Sequence, residues 1–223
     1  MSDKQSKDYE FYPGRGGADA PCIYFIDLPE HPFNVSVAAS ELFCSLITLP
    51  VHNWDDALTP WAAPGLYKGN DDFGGQADAT IADILDRVIP SIEKQQEITP
   101  TKRAIAGYSL GGLFALYAFT KRAEFSAVAS MSGSVWYDDW LDYLDDAAID
   151  GRGRFAFLSI GSKEKRAAPL RLHKVEENTR LCAQLLESRG VNVRHVVGPG
   201  SHIQHTEERL QAGFAALDEA LRS

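Results

Sequence analysis

Only three cysteines occur in the 223 residues, Cys22, Cys44 and Cys182, and none is spaced from another, or from a histidine, in a metal-binding pattern. An odd, scattered set argues against a disulfide framework and against a Cys/His metal centre, and it points to buried free thiols. No metal or other cofactor is expected. Basic residues are also in short supply: 22 Lys and Arg stand against 31 Asp and Glu, a net charge of -9. Such a surface repels polyanions, so neither nucleic acid nor an anionic membrane is an expected partner. No apolar run reaches the length that spans a bilayer. The opening residues, MSDKQSKDYEFYPG, lack the apolar stretch of a signal peptide, so a cytoplasmic location is expected. Repeats, linkers and low-complexity tracts are lacking too. What is left is one domain of ordinary composition, 44% hydrophobic and 24% charged. Residues 1–20 are expected to be a flexible N-terminal segment, with Met1 to Asp8 disordered and at most one short edge strand in Glu10 to Gly17. Residues 21–223 then form the single domain.

What is present is a repeating strand–helix pattern. Cys22 to Leu28 and Leu42 to Leu49 are continuous apolar runs, each stopped by proline, as suits strands covered on both faces. Val51 to Gly75 reads as a long irregular segment rich in aromatics. Ala77 to Gln95 carries Ile81, Ile84, Leu85, Val88, Ile89 and Ile92 on one helical stripe, with Pro90 placed to kink or split it. Strands at Ala127 to Ser132, Phe155 to Gly161 and Val191 to Val197 alternate with helices at Val175 to Ser188 and Thr206 to Leu221. That order predicts an α/β fold with a mostly parallel central sheet and helices on both faces.

The most informative stretch is Arg103 to Arg122, RAIAGYSLGGLFALYAFTKR. An apolar strand runs into Gly107-Tyr108-Ser109-Leu110-Gly111, and a helix from about Gly112 to Thr120 follows. Strand, G-x-S-x-G, helix is the arrangement that lifts a serine hydroxyl to the top of a sheet. Close approach of strand and helix leaves no room for a Cβ at Gly107 or Gly111, and the positive end of the helix favours an oxyanion nearby.

In an open parallel sheet the ligands sit beyond the carboxyl ends of the strands. Ser109 follows one strand, Glu164 follows Phe155 to Gly161, and His202 follows the last strand in Gly198-Pro199-Gly200-Ser201-His202. Serine, acid and histidine in this order match the nucleophile, orienting acid and base of a serine hydrolase. His205 stands as the alternative base. His195, inside a strand, is read as core or edge. The two oxyanion amides are expected from Leu110 and Leu28. Trp54 and Trp61, with Trp136, Tyr137 and Trp140, suggest an aromatic-walled cleft in which packing also claims a share. Ser134 to Gly151 is short, so any lid is minimal.

The segments CIYFID, DFGGQADATIADILDRVIPSIE, AGYSLGGLFAL, FSAVASMSGSVWY, LSIGSKE and GPGSHIQHTEERL together resemble the esterase D family of α/β-hydrolases, which includes enterochelin esterase-like proteins and S-formylglutathione hydrolases. The resemblance runs from about Cys22 to the C-terminus. It implies an α/β-hydrolase fold, with Ser109 as nucleophile, His202 as base and Glu164 as acid of a carboxylic-ester hydrolase. Trp136 and Ser134 would line the acyl or alcohol pocket. Beside what the resemblance implies, Tyr108 and Trp54 are candidate substrate contacts by their place next to the serine and in the aromatic-rich segment. The chain departs from the family pattern at Asp27-Leu28-Pro29, where relatives often carry a histidine–glycine or aspartate–glycine pair. The expected partner is a small-molecule ester, and a homodimer is left open. A thioesterase or acyltransferase with the same triad, or a binding protein that keeps the fold without turnover, are the alternatives.

Overall fold

The computed structural model describes residues 9–223, so the expectation of disorder at Met1 to Asp8 lies outside the described residues. The strands are β1 (Glu10–Tyr12), β2 (Cys22–Asp27), β3 (Ser45–Pro50), β4 (Ala62–Ala63), β5 (Phe73–Gly74), β6 (Arg103–Tyr108), β7 (Phe125–Met131), β8 (Phe155–Gly161) and β9 (Asn192–Gly198). Among the described residues, seven of these form one sheet in the order β1-β3-β2-β6-β7-β8-β9, while β4 and β5 make a separate short hairpin. All neighbours in the large sheet run parallel except β1, which pairs antiparallel with β3. The segment expected to be flexible over residues 1–20 is therefore held to the sheet edge from Glu10 onward, and the Gly14 N–H donates to Ser45 Oγ.

The helices are α1 (Ser36–Ser40), α2 (Trp54–Ala57), α3 (Ala77–Asp83), α4 (Ile89–Gln95), α5 (Leu110–Lys121), α6 (Trp140–Asp146), α7 (Val175–Ser188) and α8 (Thr206–Arg222). Side chains alternate across β2, and both sets are buried. Tyr24 and Ile26 join the core under α3, α5 and α7, whereas Ile23 and Phe25 join the core under α1 and α8. This is why the strand reads as an unbroken apolar run. Helix α5 is apolar on every side because it is itself buried, from Leu110 through Phe119. All three cysteines are free and buried, and burial pushes the Cys22 and Cys182 thiols up to about 12.

Two departures from the sequence pattern, and one break that Pro90 leads one to expect, have physical causes. The strand expected from Leu42 begins only at Ser45, because the Phe43 and Cys44 amides donate to Asp218 Oδ1 of α8 at 2.9 and 2.7 Å instead of entering the ladder. The helix expected over Ala77 to Gln95, with Pro90 placed to kink or split it, is divided as expected by one π turn, Ile84–Val88, which ends two residues before Pro90. Proline offers no N–H and its ring crowds the carbonyl four residues back, so the chain widens there without breaking. The segment Val51 to Gly75 is less irregular than its composition implies. It holds α2 and the β4–β5 hairpin, and it packs through Trp61 and Phe73 onto Tyr137, with ring centroids 5.9 and 5.3 Å apart. No helix among the described residues is long and apolar enough to cross a membrane.

Candidate active site

Strand β6 delivers Ser109 to the head of α5 with φ 57° and ψ -124°, a left-handed backbone that a non-glycine residue adopts at a cost of about 1–3 kcal/mol. The Ser109 N–H donates to Met131 O, and its own carbonyl accepts from the Gly112, Leu113 and Ser134 amides, which fixes the turn from both sides. A Cβ at Gly107 would lie 2.1 Å from Gly111 O, so this glycine is required by the close approach of strand and helix. At Gly111 the nearest atom would be 3.4 Å away, an ordinary contact, so the expectation of crowding there is corrected. The crowded partner is Gly112, whose Cβ would meet Gly133 Cα at 2.9 Å. Gly107→Ala is accordingly expected to destabilise the fold by about 2–4 kcal/mol, and Gly111→Ala by less than about 1 kcal/mol, as read from denaturant unfolding.

Ser109, Glu164 and His202, which follow β6, β8 and β9, meet at the carboxyl edge of the sheet. His202 Nε2 is 3.0 Å from Ser109 Oγ, and His202 Nδ1 is 2.8 Å from Glu164 Oε2. His205 is turned away at the start of α8, with its ring 3.2 Å from Glu208. His195 sits half-buried on the edge strand β9. Glu164, only 4% exposed, accepts from Ser132 Oγ at 2.7 Å and from the Gly161 N–H at 2.8 Å through Oε1. Burial pushes its carboxyl up, but the bonds to His202, Ser132 and Gly161 outweigh that and hold it below the usual carboxylate range. An ionised carboxylate on Nδ1 fixes the tautomer in which Nε2 is free to accept, and such a relay can draw the proton from a serine hydroxyl.

The Leu110 N–H lies in the first turn of α5, where amides have no acceptor within the helix. The Leu28 N–H, expected as the second oxyanion donor, is instead taken by Asp27 Oδ1 at 2.9 Å, and the same oxygen accepts from Phe33 N–H at 3.1 Å. By accepting both amides, Asp27 Oδ1 organises the loop from 28 to 33. Burial pushes the Asp27 carboxyl up to about 6, against these two amide bonds and with the Glu10 charge adding to the rise. The fold thus favours protonated Asp27, and that advantage is lost as the pH rises through 6. Asp27→Asn is expected to raise stability above pH 7 by about 2 kcal/mol and to give no gain below about pH 4, in thermal melts taken across that range.

Of the four residues expected against substrate, the structure brings Ser134 and Trp136 to the nucleophile's side of the sheet. Ser134 serves there as a clamp rather than an open contact, since its amide donates to Ser109 O at 3.0 Å and its side chain is buried; Trp136, two residues on, is half-buried beside Phe73 and under the Arg171 guanidinium. Trp136, Trp140, Leu170, Arg171 and Lys174 are among the walls of a cavity of about 380 Å³. Tyr108 is corrected from a pocket contact to a support. It is 3% exposed, its hydroxyl donates to His202 O at 2.5 Å, and its ring lies 5.3 Å from the imidazole. Trp54 packs partly buried against the core, and no described contact joins it to Ser109, Ser134 or Trp136. Trp140 is fully buried, with its indole N–H on Cys182 Sγ. Two neighbours of the relay were not singled out in the sequence: Ser132, in the segment FSAVASMSGSVWY, and Arg209, in GPGSHIQHTEERL. The position of Arg209 one residue before Leu210, on the stripe that continues through Phe214 and Leu217, was the available signal. Among the described residues no group of His, Cys, Asp and Glu is placed to hold a metal.

Comparison with known proteins adds to this geometry. The chain matches the family model described as "Putative esterase" over residues 25–210. It is 32% identical over 148 residues to the uncharacterized protein YbbA of Bacillus subtilis (strain 168), a match covering 65% of this chain and 59% of that protein. Its backbone resembles the crystal structure of an IroE-like serine hydrolase from Shewanella oneidensis, with a TM-score of 0.77, 19% identity, and coverage of 95% of this chain and 75% of that one. It also resembles the siderophore hydrolase EstA from Aspergillus nidulans, with a TM-score of 0.70, 17% identity, and coverage of 99% and 97%. At these identities the two structures establish a shared α/β-hydrolase fold.

Proposed function

Since the chain belongs to this esterase family, we propose that it hydrolyses carboxylic esters through an acyl-enzyme on Ser109, with His202 as base and Glu164 as the acid that orients it. The observation that carries the reading is the unbroken relay from Ser109 Oγ to His202 at 3.0 Å and on to Glu164 at 2.8 Å. Ser109 Oγ attacks the ester carbonyl carbon as its proton passes to His202 Nε2. Negative charge gathers on the carbonyl oxygen, within reach of the Leu110 N–H and the positive end of α5. When the intermediate collapses, the alcohol leaves with the proton from His202. Water, activated by the same imidazole, then attacks the acyl-enzyme and frees the acid. Leu28 takes part as a second donor only if its amide exchanges Asp27 for the oxyanion.

The acyl or alcohol group is assigned to the face of Trp136 under the Arg171 guanidinium, two residues beyond Ser134, whose amide bonds Ser109 O; the walls of the cavity of about 380 Å³ on the far side of Trp136 include neither Ser109 nor His202. The structural neighbour named as a siderophore hydrolase makes siderophore-type esters one class to include. The purified protein is expected to release p-nitrophenol from p-nitrophenyl acetate with a burst close to one equivalent per chain, then a slower steady rate. A parallel panel of acyl thioesters and siderophore-type esters ranks the preference. No burst and no turnover on any ester would overturn the proposal.

A further inference from the structure

Resting on that hydrolase reading, we propose that Arg209 is a positioning residue for the relay: one buried guanidinium holds the histidine loop, sets the direction of two hydroxyl protons and keeps a positive charge beside Glu164. Its side chain is 6% exposed. Nη2 donates to Gln204 O at 3.0 Å, Pro199 O at 3.2 Å and Ser201 O at 3.3 Å, three carbonyls on either side of His202. Nη1 donates to Tyr108 Oη at 2.5 Å and Ser132 Oγ at 2.8 Å, and lies 3.6 Å from Glu164 Oε1. Since a guanidinium has only donors, both hydroxyl oxygens must accept from it. Each hydroxyl then has a single proton left to give. That of Ser132 goes to Glu164 Oε1, and that of Tyr108 goes to His202 O. Arg209 therefore reaches the imidazole by two routes, through its carboxylate partner and through its own backbone.

The planar fork is what spans so many acceptors at once, and a lysine supplies the charge without the span. Removing a positive charge from the relay favours its protonated form, so the acid limb of the pH profile is expected to move to higher pH. The ionisable groups facing this cluster are Tyr108, Glu164, His202 and Glu208, the last paired with His205.

The test compares wild type, Arg209→Met, Arg209→Lys and Ser132→Ala with p-nitrophenyl acetate. Arg209→Met is expected to lower kcat about 100-fold, to change KM less than about threefold, and to raise the acid limb of the pH profile by about half a unit or more. Arg209→Lys is expected to keep the wild-type acid limb while losing about tenfold in kcat. A wild-type kcat in Arg209→Met, or equal losses in both variants with neither limb moved, overturns the inference. If Arg209→Met fails to fold, Arg209→Lys and Ser132→Ala decide it: their kcat losses are expected to be less than additive in the double variant, and additive losses overturn it. Nitrogen NMR of His202 in the resting protein reads the relay without turnover: the Nδ1–H tautomer is expected to dominate in wild type and to lose population in Arg209→Met, and an unchanged tautomer ratio overturns the inference. A wild type that hydrolyses no ester therefore counts against the hydrolase reading, while the His202 tautomer still judges Arg209.

Discussion

Ser109→Ala is expected to lower kcat/KM on p-nitrophenyl acetate by at least about a thousandfold, leaving the Tm within a few degrees of wild type. The loss falls on chemistry, because the hydroxyl is the atom that makes and breaks the acyl bond in this mechanism. Alanine keeps a Cβ at the same strained backbone, with φ 57°, so it neither relieves nor worsens the turn. The clamps on either side are main-chain bonds, from Ser109 N–H to Met131 O and from Ser134 N–H to Ser109 O, and they survive the change. What is left for the variant is the electrostatic environment at the head of α5, which accounts for a residual rate above background. Steady-state kinetics with a matched thermal melt check both halves. A variant retaining a tenth of the wild-type rate would show that another group attacks.

Glu164→Gln is expected to be nearly as damaging, with a loss of about 1,000- to 10,000-fold in kcat, for a reason that lies in the direction of its hydrogen bonds. Oε1 sits among donors: the Ser132 hydroxyl, the Gly161 amide and, at 3.6 Å, the Arg209 guanidinium. A glutamine must turn its carbonyl oxygen toward that cluster, since an NH₂ there would face donors only. Its NH₂ then points at His202 Nδ1. The imidazole is forced to accept at Nδ1 and to carry its proton on Nε2, the nitrogen 3.0 Å from Ser109 Oγ. A protonated Nε2 cannot take the serine proton. Nitrogen NMR of His202 should report this reversed tautomer directly, alongside the kinetics. Activity within tenfold of wild type would mean that Glu164 does not set the tautomer.

The parts of this site legible in the sequence were those fixed by strand ends. Ser109, Glu164 and His202 each stand just past an apolar run, and a parallel sheet gathers such positions along one edge whatever the details of packing. The alternation of buried strands with striped helices was equally plain, because each element's burial is written in its own few residues. What stayed hidden depends on contacts between distant segments. Arg209 is a charge within a helix until α8 docks and brings it under the histidine loop. The exception is local: the Leu28 amide is taken by the side chain immediately before it, through Asp27 Oδ1. Tyr108 adjoins the nucleophile in sequence but points beneath His202. The late start of β3 arises from Asp218, a residue 174 positions from Cys44. Gly111 and Gly112 could not be told apart by pattern, since only the approach of Gly133 singles out the second.

The central claim is that the oxygen at position 109 is the reacting nucleophile, activated by an imidazole brought to it from the end of β9. Its most direct measurement is fluorophosphonate labelling near pH 8, followed by peptide mass mapping. The account predicts one adduct per chain, carried on Ser109 and absent from the His202→Ala protein over the same exposure. An adduct on a different serine, or labelling of Ser109 at an undiminished rate without His202, would contradict it.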